Sequence, residues 1–235
     1  MNTLPLYISL VFGITLLTSI FLFYKAAHSS KTVLGVLILW IIAQSIISST
    51  GFYKSENTLP PRFALLLLPS LMMMLILFIT KKGKLFIDGL NIKTLTLLHI
   101  IRIPVEVVLL WLFMYKAVPE LMTFEGRNFD ILSGISAPIV YYFTFVKKEI
   151  NYTFLLIWNF ICMALVLNIA VNAILSLPTK FQQFAFDQPN VALLQFPFTL
   201  LPAVLVPIVI FSHLVSIRQL LPIARISNSS PQSIF

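Results

Sequence analysis

An all-α, polytopic transmembrane helix bundle of about seven spans is the fold this sequence predicts, and three observations predict it. Apolar residues make up 59% of the 235-residue chain and charged residues only 10%, with a mean hydropathy of +0.97. A soluble domain carries about 25% charged residues, so this chain has too little polar surface to present to water. The apolar runs are continuous and about 18–25 residues long, the length a helix needs to cross a bilayer. The 14 prolines, the 7 glycines and the lack of a two-residue polar/apolar alternation speak against a β-barrel.

Hydropathy places the spans in order at Leu6–Tyr24, Val33–Ser49, Phe63–Thr80, Leu95–Tyr115, Ile131–Val146, Phe154–Leu175 and Val191–Ile217. The first lacks a basic leading segment and a small-residue cleavage site, so it is expected to be retained as a span. The fifth is short and is expected to borrow a turn from 128–130. The seventh carries Pro197, Pro202 and Pro207, whose missing N–H groups must bend or unwind a helix. Residues 1–225 are expected to form one helix-bundle domain and the Ser-rich segment 226–235 a disordered cytoplasmic tail.

The loops orient the bundle. The connections after spans one, three and five, with the C-terminal segment, hold Lys25, Lys31, Lys81, Lys82, Lys84, Lys93, Lys147, Lys148, Arg218 and Arg225. The opposite connections hold Lys54, Arg62, Lys116, Arg127 and Lys180. The richer side goes to the cytoplasm, so the N-terminus is expected outside and the C-terminus inside. Lys81–Ile92 mixes lysines with Leu85, Phe86, Ile87 and Leu90, as either a plain basic loop or a segment lying on anionic headgroups. The net charge of +8 is explained by this distribution and does not call for nucleic acid. The single cysteine, Cys162, lies within an apolar run and has no partner for an intrachain disulfide.

The costliest residue is Glu106. It follows Arg102 by four positions and His99 by seven, so all three share one helical face. At 1.5 Å per residue it lies roughly 16 Å into the span, near the bilayer midplane. A lone charge there costs about 2.5–3.5 kcal/mol on insertion scales. An Arg102–Glu106 ion pair is expected to reduce that cost, either as a brace between helices or as the lining of a polar pocket. Pro104 frees a carbonyl near Ile100, which suits a cavity better than a tight strut.

The loop after this span, Pro119 to Asp130, is the densest run of functional groups in the chain. Asn128 or Asp130 is a natural N-cap for the fifth span. Gly126 permits a turn that could aim Glu125 or Arg127 into the bundle mouth. Asn159, Asn168 and Asn172 in the sixth span, and Gln44, Ser45 and Ser48 in the second, read as interhelical hydrogen-bonding groups or as pocket lining. The seventh span adds Ser212 and His213 near its inner end. No phosphate loop, nucleophile elbow, zinc-protease motif or prenyl-phosphate motif is present. His28, His99 and His213 have no ligand spacing, so no metal or cofactor is expected.

His99, Arg102 and Glu106, the run Thr123 to Asp130, Phe196-Pro197, Val206-Pro207 and Ser212-His213 together resemble a family of uncharacterised bacterial multi-pass membrane proteins with no assigned activity. The resemblance runs from the fourth span to the C-terminus. It implies a bacterial plasma (inner) membrane location and nothing about mechanism.

The function expected is binding, and transport, of a small polar or anionic solute within the bundle, without catalysis. The site expected is His99, Arg102 and Glu106, with Glu125, Arg127, Asn128 and Asp130 as its outer mouth. Membrane lipids are the surroundings. The alternatives are a sensor or assembly factor that holds a soluble cytoplasmic partner, and an intramembrane lipid-modifying enzyme using Glu106 or Asp130 with His99.

Overall fold

A computed structural model describes residues 4–54 and 61–229, and among these it contains helices and no strand. Nine α-helices follow in order among the described residues: α1 (Leu6–Ala26), α2 (Lys31–Ser49), α3 (Ala64–Ile79), α4 (Lys81–Gly89), α5 (Ile92–Leu98), α6 (Arg102–Met114), α7 (Ile131–Tyr141), α8 (Tyr152–Leu175) and α9 (Val206–Ser229). A 3₁₀ turn, His99–Ile101, joins α5 to α6, giving one apolar rod from Ile92 to Met114. Pro104 explains that turn: without its N–H the carbonyl of Ile100 has no α-helical donor, so the ladder tightens just ahead of it. A π turn, Tyr142–Val146, extends α7.

Among the described residues five rods are long and apolar enough to cross a membrane: α1, α2, α5 with α6, α8, and the stretch Leu201–Ala224 of α9 and the turn before it. A sixth candidate is α3 with α4, which turn against each other by 95°. Residues 131–146 make a shorter apolar helix. In chain order, the residues that hydropathy assigns to the first six spans fall largely on the first six of these pieces, and those of the seventh only in part.

The last rod is central and α2 peripheral: 67% of the apolar stretch of the former is buried, against 11% of the latter. α9 pairs most extensively with α8. The main core runs between α1, α5, α6, α8 and α9 through Phe12, Phe23, Leu98, Leu112, Val166 and Phe211. In lipid such contacts stabilise through close packing and hydrogen bonds, since apolar burial alone gains little against hydrocarbon.

The seventh span departs from expectation at both ends. Residues 191–200 form turns, including a 3₁₀ turn Ala192–Leu194 and a cis Phe196–Pro197 bond, then a π turn Leu201–Leu205 leads into α9. Proline fits a helix only in its first turn. The regular helix therefore starts at Val206, with Pro207 at its second residue. Pro207 also leaves the carbonyl of Ala203 without its helical donor. Trp40 Nε1 donates to that oxygen at 2.9 Å and Ser70 Oγ at 3.3 Å, tying α2 and α3 to the break.

At the other end α9 continues to Ser229, so the backbone of 226–229, expected in a disordered tail, is helical. Residues 230–235 lie outside the described residues. Gln219 Nε2 donates to the carbonyls of Ile87 and Leu90, and Arg218 pairs with Asp88 at 2.8 Å. The same end of the molecule gathers the α1–α2 turn, where His28 Nε2 lies 2.7 Å from the Gly89 carbonyl and Asn91 N donates to Ala26 O. This is the lysine-rich end. The loops at the opposite end are also tied together: Val191 N and Ala192 N both donate to Ala117 O, and Thr199 Oγ1 to Ser48 Oγ.

Candidate functional site

The buried polar groups of α6, α7, α8 and α9 meet in one cluster. Arg102 is its hub, 2% exposed at the first residue of α6. Its Nη1 lies 2.9 Å from Asp130 Oδ1 and 3.4 Å from the Cys162 carbonyl, and its Nη2 lies 3.2 Å from His213 Nε2. His213 Nδ1 is 2.8 Å from Asn159 Oδ1. An amide oxygen only accepts, so Nδ1 carries the proton and Nε2 accepts from the guanidinium. His213 is thereby held as the Nδ1–H tautomer, oriented from both sides.

Glu106 does not join Arg102. The ion pairs among the described residues are Arg102–Asp130 and Arg218–Asp88, so the expected Arg102–Glu106 pair is replaced. Asn128 takes the carboxylate instead, with Nδ2 at 2.7 and 2.6 Å from the two Glu106 oxygens and 3.0 Å from the Met122 carbonyl. Asp130, Cys162 and His213 take the two Nη groups of the guanidinium, from elements that helical spacing within one span does not register. Glu106 therefore has one neutral donor.

The loop explains how Asn128 and Asp130 arrive. Asn128 Oδ1 accepts from Asp130 N at 3.0 Å, closing an Asx turn. Asp130 stands at the N-cap position of α7 but caps nothing, since its carboxylate turns to Arg102. The N-cap role expected of either residue gives way to these inward contacts. Gly126 is needed for close approach: a Cβ there would come 2.3 Å from the Glu120 carbonyl oxygen. Gly134, one turn into α7, lets that helix reach the α6 start, where a Cβ would meet Ile103 Cγ1 at 2.9 Å.

That same tight loop leaves Glu125 and Arg127 exposed. Arg127 lies over the Phe184 ring at 5.7 Å, and its carbonyl accepts from Asn168 Nδ2. The expectation that Glu125 and Arg127 aim into the bundle is thus corrected, because Gly126 spends its freedom on packing against Glu120. His99 is fully buried, stacked on His213 with ring centroids 3.9 Å apart and edge-on to Trp158. Both its ring nitrogens lack a hydrogen-bond partner, so it forms no acid/base pair with Glu106 or Asp130.

Arg102, Glu106 and Asp130 border a cavity of about 80 Å³. Its wall is otherwise mostly apolar, with Leu109, Ile169, Leu194, Leu205 and Val209, and it reaches Asn190 and Leu193 in the loops opposite the lysine-rich end. Two polar atoms of its lining residues are buried without partners: Asn190 Oδ1 and Arg102 Nε. The π turn Leu201–Leu205 forms part of the same wall.

The expected site does not include His213, and Asn159 reads from the sequence as either an interhelical group or pocket lining. The available signal was depth: two buried polar residues on the sixth and seventh spans at the level of His99. Asn168 and Asn172 bond to each other and to the loop, as interhelical groups do.

Residues 58–221 match the model of a family described as a domain of unknown function (DUF8737), and the chain belongs to that family. The match takes in every residue of the cluster. No curated protein and no solved structure matches the chain.

Proposed function

We propose that this member of the DUF8737 family is a seven-span protein of the bacterial inner membrane that binds, and moves, a small polar solute at Glu106. The seven spans are α1, α2, α3, α5 with α6, α7 with its π turn, α8, and α9, with α4 as the connection at the lysine-rich end. The lysine-rich end faces the cytoplasm by the positive-inside rule, with the N-terminus outside. Residues 1–225 act as one domain. The cavity then runs from the outer loops toward the bilayer midplane.

The observation that carries this reading is the hollow beside the carboxylate. A water needs roughly 10–15 Å³ of such space, so about 80 Å³ holds several waters or one small solute. Drug-sized ligands need pockets of roughly 300–1,000 Å³, which argues against a large substrate here. An intramembrane carboxylate beside a hollow is a functional position by default.

Charge matching favours a cationic or hydrogen-donating solute over the anionic one expected from Arg102 alone. Asp130 already balances Arg102 at 2.9 Å. Glu106 has only the neutral Asn128, and Asn190 Oδ1 supplies a second acceptor without a donor. The π turn in the cavity wall is a place where the last span can change its winding.

Thermal unfolding of the detergent-purified protein against methylammonium, guanidinium and acetate tests this. Saturable stabilisation by the two cations, absent with acetate and lost in Glu106→Gln, is the expected result. No stabilisation by any of them, or an equal response from Glu106→Gln, would refute the assignment.

A further inference from the structure

A second, larger space lies between α2 and α3, on the other side of the seventh-span break. It measures about 620 Å³ and is lined by apolar side chains including Val36, Trp40, Met73, Leu77, Phe86 and Phe211. It shares no lining residue with the cavity beside Glu106.

The reason for the space is how α2 is fastened. Only Gln44 and Ser48 of its 19 residues are buried, both near the end opposite the lysines. Gln44 Oε1 accepts from Tyr53 OH at 2.6 Å, and Ser48 Oγ accepts from Thr199 Oγ1 at 2.9 Å. Trp40 adds one tie at mid-height, to the carbonyl that Pro207 frees. Below that tie α2 has no fully buried residue: Val33, Leu34 and Leu37 pack against the core only partly buried, and the crevice lies between them and α3.

That end of the crevice is basic. Lys31 directly precedes Thr32, which lines the crevice, and Lys82 lies one turn before the lining residue Phe86 on α4. Lys81 and Lys84 are exposed on the same helix. Among the described residues none of these lysines has a carboxylate within ion-pair distance, and the acid of α4, Asp88, is taken by Arg218.

We propose that this crevice holds an acyl chain of an anionic phospholipid from the leaflet at the lysine-rich end, with the headgroup against Lys31 and Lys82. The space falls within the range that encloses molecules of drug size, and its wall offers a chain almost nothing but hydrocarbon. The lysines supply the selection for negative headgroups that an apolar slot lacks.

Native mass spectrometry of the full-length protein with equal amounts of phosphatidylglycerol and phosphatidylcholine of the same chains tests it. The wild type is expected to keep one phosphatidylglycerol preferentially. Lys31→Ala with Lys82→Ala is expected to cut that preference about thirtyfold, since each surface lysine contributes roughly fivefold toward an anionic lipid. Val36→Trp and Met73→Trp fill the slot from opposite walls, and either is expected to abolish the bound lipid. Having both keeps the test open if one fails to fold. Equal retention of the two lipids by the wild type, or a retained phosphatidylglycerol in the tryptophan variants, would overturn the proposal.

Discussion

Arg102 and Asp130, 28 positions apart in the chain, form a buried ion pair at 2.9 Å that joins the start of α6 to the start of α7. Removing one partner leaves the other charge buried and unpaired, which costs about 3–5 kcal/mol. Arg102→Ala and Asp130→Ala are each expected to lose about that much stability, and the double variant much less than the sum. A double-mutant cycle on unfolding in mixed micelles measures the coupling; additive losses would show that the pair is not the shared interaction.

Trp40 and Pro207 are linked through the carbonyl of Ala203. Trp40→Phe removes an interhelical hydrogen bond and is expected to cost about 0.6–2 kcal/mol. In a Pro207→Ala background the backbone regains a helical donor for that carbonyl, so the same change is expected to cost less. Thermal unfolding of the four proteins checks this.

Gly134 fits because nothing projects from it toward Ile103. Gly134→Ala is expected to destabilise and Gly134→Leu to do so more strongly, by about 1–3 kcal/mol as overpacking does. The same substitutions are expected to weaken the Arg102–Asp130 coupling in the cycle above, because they push α7 away from α6.

Much of the bundle could be read from hydropathy, because a run of apolar residues needs no partner to declare itself. The fourth, sixth and first spans agree closely with their helices. The seventh does not, because its prolines limit where a helix can begin, and hydropathy does not register that limit. The polar residues of the fourth span and the inward pair Asn128 and Asp130 were also visible as buried or cap-forming types. Which of them touch was not. Spacing put Glu106 beside Arg102, while contacts across 22 and 28 positions decided the outcome. Glu125 and Arg127 were misjudged for a related reason: a glycine between them signals an unusual turn but not the direction it takes.

Asp88 gives a pH dependence at the lysine-rich end. The hydrogen-bonded Arg218 guanidinium holds its carboxyl below the ordinary range. A depressed carboxylate contributes stability that is present above its unfolded pKa, about 3.9, and lost as pH falls through the folded value. The pair is half exposed, so salt screens it and the effect is small. Asp88→Asn is expected to flatten the acid limb of the stability–pH curve at low salt, with no change near neutrality in its slope.

The claim that Glu106 borders a hollow open to small solutes is tested most directly by thiol labelling. In a Cys162→Ala background, Glu106→Cys and Leu112→Cys place thiols on the same helix, the first beside the cavity and the second fully buried in the core. Rapid reaction of Glu106→Cys with a small cationic methanethiosulfonate, with Leu112→Cys protected, is the expected result. Equal protection of both thiols would contradict the account.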